Sequence, residues 1–126
     1  MSVSRYFKGF GRNLLSPYNF KKQYMALDQN TGEEINLQEA RGYISDFAKQ
    51  FPNEVKSFFV GKNHIIKIMN QDNCIGIRVY NGYDFTESRM NQVFIGVDSN
   101  GNDMKEIIVD KSAVCPPICP TESIMD

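Results

Sequence analysis

Apolar residues recur at helical spacing between residues 36 and 52, and this stretch gives the strongest pattern in the chain. Asn36 is placed to cap a helix, because Glu39 follows three residues later as in a capping box. Pro52 ends the pattern, because proline cannot donate the next helical hydrogen bond. We therefore predict one main helix, with an apolar stripe made of Leu37, Ala40, Tyr43, Ile44, Phe47, Ala48 and Phe51.

Alternating polar and apolar residues in the second half of the chain predict strands. Cys74–Tyr80 is the strongest of these, and its β-branched residues Ile75, Ile77 and Val79 share one face, which we expect to lie on the core. The weaker elements are strands at Lys22–Leu27 and Val55–Val60, one or two helical turns at His64–Asn70, and a hairpin of Gln92–Val97 with Met104–Val109 across a turn at Asp98–Asn102.

These elements predict an α+β fold: a mainly antiparallel sheet of four to five strands, one main helix packed on one face, and a short second helix. With 126 residues, the chain can bury roughly two thirds of its unfolded surface in one core. We predict three regions, namely a basic aromatic N-terminal arm (1–24), the α+β domain (25–114) and a Pro/Cys-rich tail (115–126).

The net charge of −1 hides an uneven distribution along the chain. Residues 1–25 carry five bases and no acid, whereas the remainder carries nine bases and 15 acids. A basic arm on an acidic body can bind a phosphate backbone, an anionic membrane or the acidic surface of another protein. The five bases of this arm are Arg5, Lys8, Arg12, Lys21 and Lys22.

The arm also has an apolar stripe, because Phe7, Phe10 and Leu14 recur at helical spacing in residues 4–16. Arg5, Lys8 and Arg12 lie largely off this stripe, and Pro17 ends the pattern. We predict a short helix that forms on docking to a protein partner or to another copy of the chain. Aromatic residues among bases can also stack on single-stranded nucleic acid or insert at a membrane surface, but five bases are few for either task.

The tail sequence Cys115-Pro116-Pro117-Ile118-Cys119 combines two cysteines with stiff backbone. A polyproline-like run of four steps rises about 12 Å, whereas a disulfide needs Cα atoms within about 7 Å. We therefore expect the two cysteines to be held apart, unless an X–Pro bond is cis or the chain bends sharply.

Cys74, Cys115, Cys119 and His64 could together supply a Cys₃His zinc site. Structural zinc usually requires a tight two-residue knuckle, and the tail cysteines have three residues between them, so we favour no metal. The first residues lack the apolar core of a secretory signal, and no apolar run reaches the roughly 20 residues that span a bilayer. We therefore expect a cytoplasmic protein with reduced thiols and no transmembrane segment.

Arg78, Tyr80 and Asp84 project from the strongest strand and the loop after it, and could form a surface binding site. The favoured alternative is a cross-strand set of ion pairs or hydrogen bonds with neighbours such as Arg89. Asp98–Asp103 has the oxygen-rich composition of a calcium loop, but the glycine and glutamate of the EF-hand pattern are misplaced, so a hairpin turn explains it better.

Three blocks of the sequence resemble a family of small uncharacterised proteins from Bacteroidetes. They read QDNCIGIRVYNGYD at Gln71–Asp84, IGVDSNGND at Ile95–Asp103 and CPPIC at Cys115–Cys119. The resemblance covers about half of the chain, excludes the arm, and implies a shared fold without an activity.

No nucleotide-binding glycine pattern and no nucleophile paired with the single histidine occur in the sequence. We therefore expect a non-enzymatic structural, adaptor or assembly subunit without a cofactor, acting through residues 1–24. The alternatives are a small metal-binding or regulatory thiol protein using Cys74, Cys115 and Cys119, and a nucleic-acid-binding protein using the basic arm.

Overall fold

The structure is a computed structural model, and it describes residues 26–126. The helix expected at residues 4–16 and residues 22–25 of the strand expected at Lys22–Leu27 lie outside this range. Ala26 and Leu27 do not belong to a strand. The predicted turn follows at once, and the Thr31 N–H donates to the Asp28 carbonyl at 3.2 Å.

Helix α1 spans Leu37–Gln50, and the predicted cap begins it. The Asn36 side chain accepts a hydrogen bond from the Glu39 N–H at 2.8 Å, and its own amide donates to the Glu39 carboxylate at 2.8 Å. One backbone N–H that an exposed helix end would leave to water is thereby bound locally, and the bond between the two side chains holds the cap in place. Phe51 closes the helix just before Pro52.

The first and last strands of the described residues pair in a small two-stranded sheet. Strand β1, Ser57–Phe59, pairs antiparallel with β5, Ala113–Cys115, and Phe58 lies opposite Val114. Val114 is buried, so this short sheet closes the body beside the tail.

A three-stranded antiparallel sheet forms the centre of the fold, in the order β2-β3-β4. Its strands are β2 (Cys74–Asp84), β3 (Arg89–Asp98) and β4 (Asp103–Val109). The predicted hairpin between β3 and β4 is confirmed, and Gly101 takes a φ of 83° in its turn, which favours glycine.

Helix α2, Lys62–Met69, covers the sheet with its one fully buried residue, Ile68. Ile68 forms the core with Phe94 and Val109. The backbone of β3 approaches α2 closely at Gly96, where an added Cβ would lie 3.2 Å from Ile68 Cγ2. A side chain at position 96 would therefore push the helix off the sheet.

The face assignment within β2 was only partly right. Ile77 packs against the core as predicted, but Cys74 packs there too, and Val79 is 44% exposed. A register shift between Cys74 and Gly76 changes the alternation at the start of the strand. Val79 is exposed because β2 is the outer strand of the sheet.

The predicted α+β class is confirmed, with two helices and five antiparallel strands in residues 26–126. The strands form two sheets, because β1 and β5 pair with each other and do not join the central three. No helix in this described part of the chain is long and apolar enough to cross a membrane.

Candidate functional site

The apolar stripe of α1 is largely exposed, although the sequence pattern suggested a core-facing helix. No residue of α1 is buried. The helix is tied to the tail by Arg41, which donates from Nε to the Ile124 carbonyl at 2.7 Å and from Nη2 to the Asp126 carbonyl. The exposed large apolar residues of α1 and its C-cap are Leu37, Tyr43, Ile44, Phe47 and Phe51.

A mostly apolar cleft of about 360 Å³ opens beside this stripe. Tyr43, Ile44 and Phe47 form its helical wall, and Tyr43 is 68% exposed. Monomeric proteins expose contiguous apolar patches sparingly, and larger ones mark binding surfaces. We call this surface the α1 cleft; the residues opposite the helix are Val55, Lys56, Phe58, Asn81, Met90 and Gln92.

A polar cluster lies on β2 and β4, around Asp103. The Arg78 guanidinium donates from Nη1 to Asp103 Oδ1, and the Tyr80 hydroxyl donates to Asp103 Oδ2. These residues come together because Arg78 and Tyr80 are two apart on β2 and so share a face, while Asp103 begins β4 across β3.

The pKa values within this cluster move in the directions that the hydrogen bonds require. The Tyr80 hydrogen bond, together with that from Arg78, lowers the pKa of the Asp103 carboxyl below its usual range. The bond to Asp103 also raises the pKa of the Tyr80 hydroxyl and of the Arg78 guanidinium. Each shift stabilises the charge state already present at neutral pH, so the cluster is a structural tie with no group poised to transfer a proton.

The structure separates Asp84 from the other two residues of the expected surface site. Asp84 Oδ1 accepts the N–H groups of Thr86 at 2.9 Å and Glu87 at 3.2 Å, which fixes the turn between β2 and β3. Arg89 lies opposite Asp84 in the register of β2 with β3. Arg78 forms its ion pair with Asp103. Sequence reasoning missed Asp103 because it lies 25 residues beyond Arg78.

Cys115 and Cys119 are joined by a disulfide, so the expectation that they are held apart as thiols was wrong. A cis X–Pro bond was the exception to this expectation, and both the Cys115–Pro116 and Pro116–Pro117 bonds are cis. The Cα atoms of the two cysteines lie 4.8 Å apart. The Ile118 N–H donates to the Val114 carbonyl at 2.9 Å, so the ring continues directly from β5.

The other two metal-site candidates lie on different elements, Cys74 on β2 and His64 on α2. Cys74 is a half-buried free thiol whose Sγ lies 3.3 Å from the Gly76 carbonyl oxygen. The His64 N–H bonds the Gly61 carbonyl at 3.2 Å in the first turn of α2. Within residues 26–126, no three His, Cys, Asp or Glu side chains are grouped to hold a metal ion.

In the loop at Asp98–Asp103, the Asp98 carboxylate accepts hydrogen bonds from backbone N–H groups of the hairpin turn. Asp98 Oδ1 accepts the N–H groups of Asn100 at 2.9 Å and Asn102 at 3.0 Å. The carboxylate therefore closes the turn from within, as the hairpin interpretation predicts.

Comparisons with known proteins return no relative for this chain. No protein-family model, no curated protein and no solved structure matches it. The resemblance to the Bacteroidetes family therefore stays a prediction, and function has to be argued from the surfaces alone.

Proposed function

We propose that this protein is a non-enzymatic assembly subunit, in which the α1 cleft of one copy receives the arm, residues 1–24, of another copy. The observation that carries the proposal is the exposure of the α1 stripe, with Tyr43 at 68%. An amphipathic helix is normally stabilised by burying its apolar face. A helix that presents this face to solvent beside a cleft fits a docking surface.

The arm has the chemistry that this cleft would accept. Its apolar residues Phe7, Phe10 and Leu14 recur at helical spacing, which suits a groove beside a second helix. Its five bases complement a body that carries nine bases and 15 acids. Apolar anchors would supply the affinity, and the charges would orient and accelerate the encounter.

The first described residues and the α1 cleft lie beside different halves of β2. Leu27 lies beside Ile75–Arg78, in the first half of β2, whereas Asn81 lines the cleft in the second half. The choice of another copy, and not the same chain, as the source of the arm is part of the proposal.

A labelled peptide of residues 1–25, titrated with the full-length protein and followed by fluorescence anisotropy, tests this docking. We expect saturable binding that the double variant Tyr43→Ser/Phe47→Ser weakens at least tenfold. Phe85→Ser is the matched control, since Phe85 is 87% exposed and lies outside the cleft. Saturable binding of equal strength by all three proteins would refute the docking.

The disulfide supports a second candidate function, that of a regulatory thiol protein. In this role Cys115–Cys119 would cycle between one disulfide and two thiols, taking two electrons and two protons from a cellular dithiol. The test is the molar mass of the full-length protein in solution before and after reduction. A reversible change in mass, lost in Cys119→Ser, would favour this role over the constitutive assembly.

The proposal places the protein in the cytoplasm, and the disulfide is the feature that bears on this compartment, because such bonds are rare there. Trapping thiols in intact cells with an alkylating reagent, followed by mass spectrometry of the tail peptide, measures the state of Cys115 and Cys119. Alkylated cysteines agree with the cytoplasm, whereas a closed bond in fresh cells indicates an oxidising compartment.

A further inference from the structure

Strand β2 has a free edge in the part of the chain that the structure describes. It is the outer strand of the order β2-β3-β4, and at 11 residues it is the longest strand. The outer edge of such a strand presents a row of backbone N–H and C=O groups that a further strand can pair with.

The second half of this edge is the more exposed one among the described residues. Leu27–Thr31 lies beside Ile75–Arg78, and the register shift between Cys74 and Gly76 distorts the start of the strand. Val79, Tyr80 and Tyr83 are 44%, 47% and 52% exposed. Residues 79–83 contain no charge and no proline, which are the devices that usually protect an edge from pairing.

The sequence of this open stretch is complementary to itself. In an antiparallel pair of two β2 strands with a two-fold axis at Asn81, Arg78 of one copy lies opposite Asp84 of the other. Residues directly opposite share a face and interact, so the two-fold axis gives two pairs of opposite charges. The same register places Val79 opposite Tyr83 and Tyr80 opposite Gly82.

If the two-fold axis is moved by one residue in either direction, Arg78 and Asp84 no longer lie opposite each other. With the axis at Tyr80, Arg78 lies opposite Gly82; with the axis at Gly82, Asp84 lies opposite Tyr80. The charge pairing therefore selects the Asn81 register over those one residue to either side.

Both charged side chains have hydrogen-bonding capacity left for a partner. Arg78 uses Nη1 for Asp103, and a guanidinium has five N–H donors. The bonds that Asp84 accepts within the described residues go to Oδ1. Its Oδ2 can therefore accept from an arginine of a second copy.

We propose that two copies of this chain pair through residues 78–84 of β2, about a two-fold axis at Asn81, into one continuous sheet with three strands from each copy. This interface uses the backbone edge of β2 and shares only Asn81 with the residues that line the α1 cleft, and it needs no contact with the arm. It extends the proposed function by a second, symmetric contact between copies.

A cysteine at the two-fold axis tests both the pairing and its register. In this geometry the two Cα atoms of residue 81 lie about 4.5–5.5 Å apart, which is within disulfide range. We expect Asn81→Cys to form a covalent dimer rapidly under mild air oxidation. Glu87→Cys, in the exposed turn after β2, is the control and is expected to stay largely monomeric. Equal rates for the two variants would overturn the proposal.

Two further variants separate this interface from arm docking. Tyr83→Lys places an unpaired charge at the edge, and we expect it to raise the dimer dissociation constant at least tenfold in sedimentation experiments, with an unchanged circular dichroism spectrum. Adding Arg5→Ala/Lys8→Ala/Arg12→Ala to Asn81→Cys is expected to leave crosslinking intact. Crosslinking that disappears in this combined variant would show that edge pairing depends on the arm, contrary to the proposal.

Discussion

At the scale of single residues, Asp103 is the best-defined electrostatic feature of the molecule. Its folded-state pKa is lowered, first by the Tyr80 hydrogen bond and then by Arg78. A carboxyl with a lowered folded pKa contributes stability above its unfolded pKa, near 4. This contribution is lost as the pH falls through the folded pKa, so the stability of the protein should decrease below about pH 4.

Tyr80→Phe removes the largest cause of this shift. We expect the Asp103 pKa to move back toward its ordinary value, which flattens the loss of stability on acidification. Urea unfolding between pH 7 and pH 3 measures the effect. Tyr83→Phe is a matched control on the same strand, because Tyr83 is exposed and Asp103 takes its hydroxyl bond from Tyr80. Identical pH profiles for Tyr80→Phe and the unmodified protein would contradict the assignment.

Gly96 is a position at which the core leaves little room for a side chain. A Cβ there would lie 2.9 Å from Gln71 Nε2 and 3.1 Å from Cys74 Sγ, in addition to its contact with Ile68. We expect Gly96→Ala to lower the free energy of unfolding by about 1–3 kcal/mol, as overpacking usually does. Gly76→Ala is the control, because nothing lies within 4 Å of a Cβ at that position. Urea denaturation of both variants gives the comparison, and equal losses would show that packing is not the cause.

At the scale of elements, sequence patterns best predicted the features that depend on interactions between residues close together in the chain. The Asn36 cap, the end of α1 near Pro52 and the turn between β3 and β4 depend on residues within one or two turns of backbone. The end of β2 was missed, because Asn81 and Gly82 are favoured turn residues. Cross-strand pairing of Gly82 with Asn91 overrides that preference and extends the strand to Asp84.

Non-local features of the site could not be predicted in the same way. The pairing of β1 with β5 and the bond from Tyr80 to Asp103 join distant parts of the chain, and one sequence does not encode them as a visible pattern. The exposure of the α1 stripe was missed for a related reason. Helical spacing shows that one face of a helix is apolar, but it does not identify what covers that face.

The capping box gives a prediction at this scale. Asn36→Ala removes the acceptor for the Glu39 N–H and the donor to its carboxylate. We expect a loss of about 1 kcal/mol in helix stability, seen as reduced helical circular dichroism and an earlier thermal transition. Gln38→Ala, an exposed change in the first turn, should have little effect. A loss for Gln38→Ala as large as that for Asn36→Ala would rule out capping as the cause.

At the scale of the whole molecule, the charge distribution predicts that the proposed arm docking is sensitive to salt. Residues 1–25 carry five bases, and the remainder carries six more acids than bases. Exposed charge pairs contribute a few tenths of a kcal/mol each and are screened over about 10 Å at 0.1 M salt and 3 Å at 1 M. We therefore expect the affinity of the 1–25 peptide for the full-length protein to fall on the order of tenfold between these two concentrations.

Apolar anchoring predicts that a second peptide, which lacks two aromatic anchors, loses affinity and keeps its salt dependence. A peptide with Phe7→Ser/Phe10→Ser keeps all five bases, so it should bind weakly at both salt concentrations and retain a similar salt dependence. Replacing Arg5, Lys8 and Arg12 by alanine should instead weaken binding mainly at low salt. At 1 M salt, this peptide and the natural arm peptide should bind with similar affinity. If the Phe7→Ser/Phe10→Ser peptide bound as tightly as the natural arm, charge alone would hold the arm. The exposed stripe of α1 would then need another occupant.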